Sequence, residues 1–345
     1  MKAFVKKIKT ASKNILFFLI YHSGLLHLYI TLILKKKRQF PAVIINYHRF
    51  VESFNNEIDR EPTVTHLIGD FKKELNFIKR YFYITTLDEI VQTLNERGEF
   101  TQPAIAITID DGTKDNYELL FPVLKENNIP VTIFLTAGLI GTDKQIWVDR
   151  LANAISHTPK ENIPPNNLWK NKDFPLNSLI EKRNAFNAIT KTLKELDREA
   201  RDQLLTEIEN ELQVEPQKEP AMLNWQQVRE MRENNISFGA HTCTHPILSK
   251  MPLENAQKEI EGSKIILEEK LGIKIKHFAY PNGRKQDFNE ELKRFCKEIG
   301  FESVSTCVFG NNNNTSDPFA LKRIGSYVPI SNFAVNLVRS FLINE

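Results

Sequence analysis

Residues 104–117 read AIAITIDDGTKDNY, and the fold turns on how the join in the middle is read. AIAITI (104–109) is a short apolar run of the kind that fills a buried strand of a parallel sheet. It runs straight into Asp110, Asp111 and Gly112, with Asp115 three residues further on. Adjacent carboxylates repel, so the pair either faces water as an ordinary turn or flanks a cation. The next segments supply context. YELLFPVLKENNIP (117–130) predicts a short helix interrupted or ended near Pro122, and VTIFLTAG (131–138) predicts another strand. Strand, turn, helix, strand is the order of a βαβ unit.

Outward from this unit, AVIINYHRF (42–50) reads as a buried strand ending in polar residues. DFKKELNFIKRYF (70–82) has helical spacing with Asp70 placed to cap it, and TTLDEIVQTLNERG (85–98) is a helix with a glycine stop. Residues 142–220 mix charged and apolar residues at helical spacing with few strand formers, which predicts an inserted helical subdomain. The α/β pattern resumes at NWQQVREMRENNISFGAHTCTHP (224–246). It continues through a helix (253–271), the strand IKHFAYP (275–281), a helix (288–299) and FESVSTCVF (301–309). About six such alternations predict a partly closed α/β barrel rather than an open dinucleotide-binding sheet, and neither GxGxxG nor a P-loop occurs.

The chain has 345 residues, 41% of them hydrophobic with 23 Phe, which is ample for a substantial core and argues against disorder. Its 46 basic and 43 acidic side chains leave a net charge of +3, which gives no case for nucleic acid as a partner. Cys243, Cys296 and Cys307 form no CxxC pair and are too few for a disulfide scaffold, which fits a reducing compartment.

The N-terminus needs its own reading. Residues 15–34, ILFFLIYHSGLLHLYITLIL, follow a basic start and precede KKKR. The run is longer than the apolar core of a signal peptide, about 7–15 residues, and just long enough to span a bilayer. His22, Ser23, His27 and Thr31 interrupt it, and basic residues flank both ends without an orientation bias. The pattern suits peripheral contact with a cytoplasmic membrane surface through residues 1–38. A helix packed on the soluble body and a true span are the alternatives.

GAHTCTHP (239–246) is the second site of interest, because His241 and His245 lie four apart after a predicted strand. That spacing brings the rings together on a helix face or in a tight turn. Two imidazoles and a carboxylate suit zinc and other late divalent metals. Asp110 and Asp111 end another predicted strand, and in a parallel α/β fold such ends meet on one face. One aspartate can then face the cation while its neighbour handles protons. DDG alone is common in turns, and a lone HxxxH is as often surface or core. Together they point to a mononuclear metal hydrolase.

TIDDGTKDN (108–116), HTCTHP (241–246) and FAYPNG (278–283), in this order, resemble the NodB-type polysaccharide deacetylases, carbohydrate esterase family 4. The resemblance covers about residues 42–330, from the YHRF strand to DPFALKRI (317–324). QIWVDRL (145–151) and MLNWQQV (222–228) are similar to elements of a group from bacterial exopolysaccharide clusters. The implied fold is a distorted, partly closed (β/α) barrel of the NodB type, with residues 41–345 as the catalytic domain, a helical insertion at about 142–220, and residues 1–40 as a separate N-terminal segment. By the same resemblance Asp110 is the general base, and Asp111, His241 and His245 hold the metal, usually Zn2+ with Co2+, Ni2+ or Mn2+ as substitutes. The backbone N–H of Asn282 falls where the family places its oxyanion donor. Thr242 and Thr244 are expected to orient the histidines, Asp115 to brace the acidic turn, and Cys243 to serve packing.

Two departures from the family pattern stand out. Ala279 occupies the place of an arginine that orients the base, leaving Arg284 or Arg323 as substitutes. LKRI (321–324) stands where the family has a histidine that protonates the leaving amine, and arginine is a poor general acid. His48, at the end of the first predicted strand, is the best replacement; a core histidine pinning that strand is the plainer alternative. The reading is therefore a metal-dependent hydrolase removing an N-acetyl group from an amino sugar in a polysaccharide or lipid-linked glycan, at the inner face of the cell membrane. Trp147, Tyr280 and Tyr327 are candidate sugar platforms or packing residues. An amidase acting on a non-carbohydrate C–N bond and a glycan-binding module are the other readings.

Overall fold

The computed structural model describes residues 2–54, 64–166, 169, 172–214, 221–326 and 329–342. Two helices come first, α1 (Lys2–His22) and α2 (Leu25–Leu32), and a 3-10 turn leads to β1 (Ala42–Tyr47), β2 (Arg49–Val51) and β3 (Thr65–Leu67). Then follow α3 (Ile68–Tyr81), β4 (Tyr83–Thr85), α4 (Leu87–Asn95), β5 (Ala104–Ile109), α5 (Phe121–Asn127) and β6 (Val131–Leu135). The insertion holds α6 (Trp147–His157), a hairpin of β7 (Asn162–Asn166) and β8 (Lys172–Pro175), α7 (Leu179–Leu193) and α8 (Arg198–Glu211). The alternation resumes with α9 (Trp225–Arg232), β9 (Ile236–Ala240), α10 (Leu253–Leu271), β10 (His277–Ala279), α11 (Glu290–Glu298), β11 (Ser303–Ser305), β12 (Ile324–Gly325) and α12 (Ile330–Ser340).

The main sheet runs β11-β10-β9-β6-β5-β1-β12, every pairing parallel. One edge of β5 is shared: β4 pairs with its first half, from Ala104 to Ala106, and β6 with its end, Thr108 and Ile109. That split distorts the sheet. Between the two end strands, Leu321 N–H donates to Val304 O and Thr306 N–H to Leu321 O, which draws the lead-in to β12 against β11. The result is the expected distorted barrel, partly open, with helices outside. β1, β5 and β6 are buried along their whole length, as a parallel sheet covered on both faces requires. Because the strands run the same way, Tyr47, Ile109, Leu135, Ala240 and Ala279 all end on one rim.

Several local expectations need correction. Asp70 does not cap its helix; α3 starts at Ile68, so Asp70 sits inside the first turn and pairs with Lys73. Thr86 does cap α4, accepting from Glu89 N–H. The helix is irregular beside Pro122, as expected, but does not end there: a π segment (Asn116–Leu120) passes directly into α5, whose second residue is Pro122. The insertion also contains a hairpin that its composition did not suggest, because prolines in NIPPN argue against a strand; a two-stranded ribbon has only edges, where proline is tolerated.

The N-terminal apolar run is bent rather than continuous. Gly24 takes φ +79°, and the two helices meet at 64°. Taken alone, neither described helix is long and apolar enough to cross a membrane; the bent pair qualifies on length and composition. Phe17, Leu26, Ile30 and Leu34 are buried, α1 packs on α12, and His27 Nδ1 lies 2.6 Å from the Tyr81 hydroxyl.

Candidate metal centre and active site

The acidic turn is shaped by backbone that ordinary residues avoid. Asp111 has φ +81° and Gly112 φ +79°, and a Cβ at Gly112 would lie 2.5 Å from Leu135 Cδ2. Glycine is therefore required there by both conformation and space. Ala221 and the MLNWQQV segment that follows it brace the turn from outside: Leu223 N–H donates to Gly112 O and Lys114 N–H to Ala221 O. The Asp111 carbonyl is held as well, accepting from Thr136 N–H. The two carboxyls are thereby sent different ways.

His241 and His245 leave the end of β9 in a turn, not a helix, with Thr242 at φ +66° and His245 at φ +60°. The Thr242 hydroxyl donates to His241 O and accepts from His245 N–H, so it pins the turn. His241 Nδ1 lies 2.7 Å from the Ala279 carbonyl, which can only accept. Nδ1 therefore carries the proton and Nε2 presents a lone pair, the orientation a ligand needs. Asp111 Oδ1 lies 3.6 Å from His241 Nε2 and 3.2 Å from His245 Nε2. One ligand atom from each residue falls within 4.8 Å of the others. Two imidazole nitrogens and a carboxylate oxygen converging this way fit a divalent cation of the zinc type, with Co2+, Ni2+ or Mn2+ as substitutes, and three protein ligands leave a position for water. Burial lowers His241 to about 4, against the Asp110 and Asp111 carboxylates, so it stays neutral for binding at ordinary pH.

Sequence reasoning did not find the residue that holds this turn from behind. Glu259 of α10 is 6% exposed and accepts from Cys243 N–H, Thr244 N–H and the Thr244 hydroxyl, while Arg198 of α8 donates to it at 2.8 Å. Nothing marks it in the sequence, where it is one of many acids on a charged helix. Glu259→Gln should weaken Zn2+ affinity by about 10–100-fold, read by competition with a chromogenic chelator. Unchanged affinity would mean the turn keeps its shape without the carboxylate. Cys243 lies between the ligands but burial pushes its thiol up to about 12, so it is no thiolate donor; its sulfur packs toward Gly262.

Asp110 lines the same cavity as the triad and is held by a buried cradle of its own. Arg323 donates to Asp110 Oδ1 and Oδ2, each at 2.8 Å, and Asn46 donates to Oδ2 at 3.0 Å. Arg323 is 2% exposed and is fixed further by Thr306 O and Asn46 Oδ1. Of the two arginines the sequence offered, Arg323 takes the place beside Asp110, and Arg284 is exposed and lines the cavity. Burial pushes the Asp110 carboxyl up, but the Arg323 guanidinium and the His241 ring outweigh it and hold it at about 2.

His48 Nε2 lies 3.6 Å from Asp110 Oδ2, and its buried Nδ1 has no hydrogen-bond partner among the described residues. Burial lowers its pKa, outweighing the nearby carboxylates that raise it. The third aspartate of the motif positions this histidine's strand: Asp115 accepts from Phe50 N–H at 2.7 Å and from Arg49, while Asn116 donates to His48 O. Asn282 has φ +63°, and its side chain donates to Asp287, which also accepts from Arg284 N–H.

These groups line one cavity of about 290 Å3, which brings Asp110, Asp111, His48, His241, His245, Asn282 and Arg323 together. Trp147 also lines it. Tyr280 is fully buried and stacked on Phe288 at 4.7 Å, so it is packing and not a sugar platform. Tyr327 lies outside the described residues.

Residues 97–304 match the family described as polysaccharide deacetylase. The chain is similar to the poly-beta-1,6-N-acetyl-D-glucosamine N-deacetylase of Staphylococcus epidermidis, at 31% identity over 119 residues, which covers 31% of this chain and 40% of that protein's length. The solved structure of the Streptococcus pyogenes deacetylase PplD, in complex with acetate, gives a TM-score of 0.58 at 17% identity, over 88% of this chain and 99% of that one. IcaB from Ammonifex degensii gives 0.56 at 17% identity, over 86% and 98%. At such identities the two structures speak for the fold.

Proposed function

Because the chain belongs to the polysaccharide deacetylase family, we propose that it is a metal-dependent hydrolase that removes the N-acetyl group from an amino sugar of a glycan. The observation that carries this reading is one cavity holding the Asp111, His241 and His245 cluster with an ionised, differently held carboxylate, Asp110, beside it. A bound Zn2+-type cation would polarise the amide carbonyl and make water easier to deprotonate.

The chain's own residues do the rest. Asp110 takes the proton of the attacking water as the new C–O bond forms. The backbone N–H of Asn282 meets the negative charge growing on the carbonyl oxygen. His48 delivers a proton to the nitrogen as the C–N bond breaks, releasing acetate and the free amine; with Nε2 3.6 Å from Asp110, it can receive that proton from the base. Acetate release from N-acetylated oligosaccharides, compared with small cyclic amides, tests the substrate class. Turnover of the cyclic amides alone would favour an amidase acting on another C–N bond.

The glycan is an N-acetylhexosamine chain or a lipid-linked form of one, handled at the inner face of the cell membrane. Ile15, Leu16, Phe18, Leu19, Leu25, Leu28, Leu32 and Ile33 are exposed on α1, α2 and the turn after them, with Lys13 and Lys36–Arg38 at the two ends. An apolar face flanked by cations suits an anionic lipid surface. The full chain should co-sediment with phosphatidylglycerol vesicles, and Leu16→Glu with Phe18→Glu should lower that binding by about 10-fold or more. Equal recovery of both proteins in the supernatant would contradict the contact, and a cleaved or secreted chain would contradict the location.

A further inference from the structure

Asp110, Asp111, the two ligand histidines and Arg323 all serve the chemistry above, and one charged side chain at the cavity does not. Arg284 lines the cavity and is exposed, and among the described residues its guanidinium makes no hydrogen bond or ion pair. Its backbone is fixed all the same. Gly283 has φ +58°, and a Cβ there would lie 2.8 Å from Cys307 N, which donates to Gly283 O. Asp287 accepts from Arg284 N–H at 2.8 Å and from the Asn282 side chain at 2.6 Å. A long cation is thus presented from a pinned loop.

The charges around it do not balance. Among the described residues two carboxylates line the cavity, Asp110 bonded by Arg323 and Asp111 in the ligand cluster. Neither answers Arg284, and Lys194, at the end of α7, adds a further cation to the lining. Next in the chain to the two arginines, Lys285 and Lys322 stand close enough to repel: burial and then the Lys285 charge lower the Lys322 pKa. The chain as a whole is near balance, 46 basic against 43 acidic side chains, so this excess belongs to the site. A divalent cation on the ligand cluster would raise it further.

We infer that Arg284, with Lys194, binds an oxyanion carried by the substrate, so that the acetamido sugar bears a phosphodiester on itself or on the residue next to it. The inference rests on the deacetylase reading and names its substrate class. Arg284 stands two residues from the oxyanion donor Asn282, a chain span of at most about 7 Å, so the anion it meets lies close to the acetamido group. A neutral glycan gives these cations nothing to pair with, and taking them out of water against it would cost free energy. A guanidinium fork bonds two oxygens of a phosphate at once, and a lysine adds a point charge on a flexible stem. A carboxylate suits the place less well, being itself a ligand for a zinc-type cation and so a competitor for the position left to water. A phosphodiester keeps its single charge at any working pH and takes up no proton that Asp110 and His48 must handle. Such a group comes from the diphosphate that joins a sugar to a lipid or from phosphate built into a glycan chain, and both offer Arg284 the same chemistry.

The test uses the metal-loaded full chain and matched N-acetylglucosamine substrates: the neutral methyl glycoside, a methyl phosphodiester at the anomeric carbon, and the methyl glycoside with a methyl phosphodiester on its primary hydroxyl. At low salt the better phosphodiester should exceed the neutral glycoside in kcat/KM by about 10-fold or more, the worth of one charge-assisted hydrogen bond. Preference for the anomeric diester would assign the lipid-linked source, and preference for the other the phosphate-bearing chain. In Arg284→Gln the ratio of charged to neutral substrate should fall to within about 3-fold. Arg284→Lys should keep part of it, because the charge remains and the fork is lost, and Lys194→Gln should lower it less. Salt at about 0.5 M should shrink the wild-type ratio, whereas a preference for shape would not respond. Stoichiometric Zn2+ binding by each variant shows that it is folded. Equal kcat/KM for neutral and phosphorylated substrates would overturn the inference while leaving a deacetylase. A ratio unchanged in Arg284→Gln would overturn the assignment of that residue, and a uronate analogue preferred to both phosphodiesters would overturn phosphate as the anion. No acetate from any of the sugars would overturn the deacetylase reading and this inference with it.

Discussion

Asp110→Asn, loaded with metal, should release acetate about 100- to 10,000-fold more slowly than the wild type, the contribution of a positioned general base. An amide cannot take the proton of the attacking water, yet it has nearly the shape of the carboxyl and keeps an oxygen for Arg323 and Asn46. Zn2+ affinity should stay close to wild type, because the ligand cluster uses Asp111 and not Asp110. The split between lost turnover and retained metal is what separates a base from a ligand. Equal loss of both would assign Asp110 to the metal instead. A variant with turnover within about 10-fold of wild type would remove it from the chemistry altogether.

Arg323→Met should cost about 3–5 kcal/mol of stability, the usual result of leaving one charge of a buried pair without its partner. Arg323 is fully enclosed and bonds both oxygens of Asp110, so no water can replace the guanidinium. Lysine keeps the charge but cannot reproduce the two-pronged contact, so Arg323→Lys should fall between methionine and wild type. The pair also sets a pH dependence. In the metal-free protein burial pushes Asp110 up while Arg323 and His241 hold it at about 2. That is below the value of about 3.9 expected for an unfolded aspartate. The pair's stabilisation is thus fully present above about pH 4 and is lost as pH falls through about 2. Denaturant titrations of metal-free wild type and Arg323→Met should converge over that window. For activity the sign is the same: without the guanidinium the buried Asp110 carboxyl rises, and the acidic limb of kcat/KM moves to higher pH. Stability differing by less than about 1 kcal/mol at neutral pH would contradict the buried-pair account.

Much of the site was legible because it sits where strands end. AIAITI is a strand over the six residues predicted, and Asp110 and Asp111 follow at its end. Parallel pairing then requires His241, at the end of β9, and His48, at the end of β1, to face the same rim. What was not legible depends on distant chain packing. Arg323 and Arg284 were equivalent in the sequence; the choice is made by β12 pairing with β1, which places Ile324 beside Ile45 and the guanidinium beside Asp110. Glu259 serves the histidine turn because α10 folds back beneath it, and no local pattern distinguishes it from its neighbours. Pro122 marked the irregularity but not its form, since a proline without an N–H can end a helix or be absorbed by a π segment before it. Trp147, Phe186 and Thr190 line the cavity from the insertion, whose helical spacing predicts helices there but not which stripe turns toward the cavity.

The central claim is that acetate release depends on a cation held by Asp111, His241 and His245. It is tested most directly by stripping the protein of metal, restoring Zn2+ stepwise, and following acetate released from an N-acetylated oligosaccharide together with bound metal. The account predicts no release from the stripped protein, release rising in proportion to Zn2+ up to one equivalent, and neither binding nor release in His241→Ala with His245→Ala. Release that persists without metal, or a full equivalent bound through these residues with no acetate from any N-acetylated glycan, would contradict it.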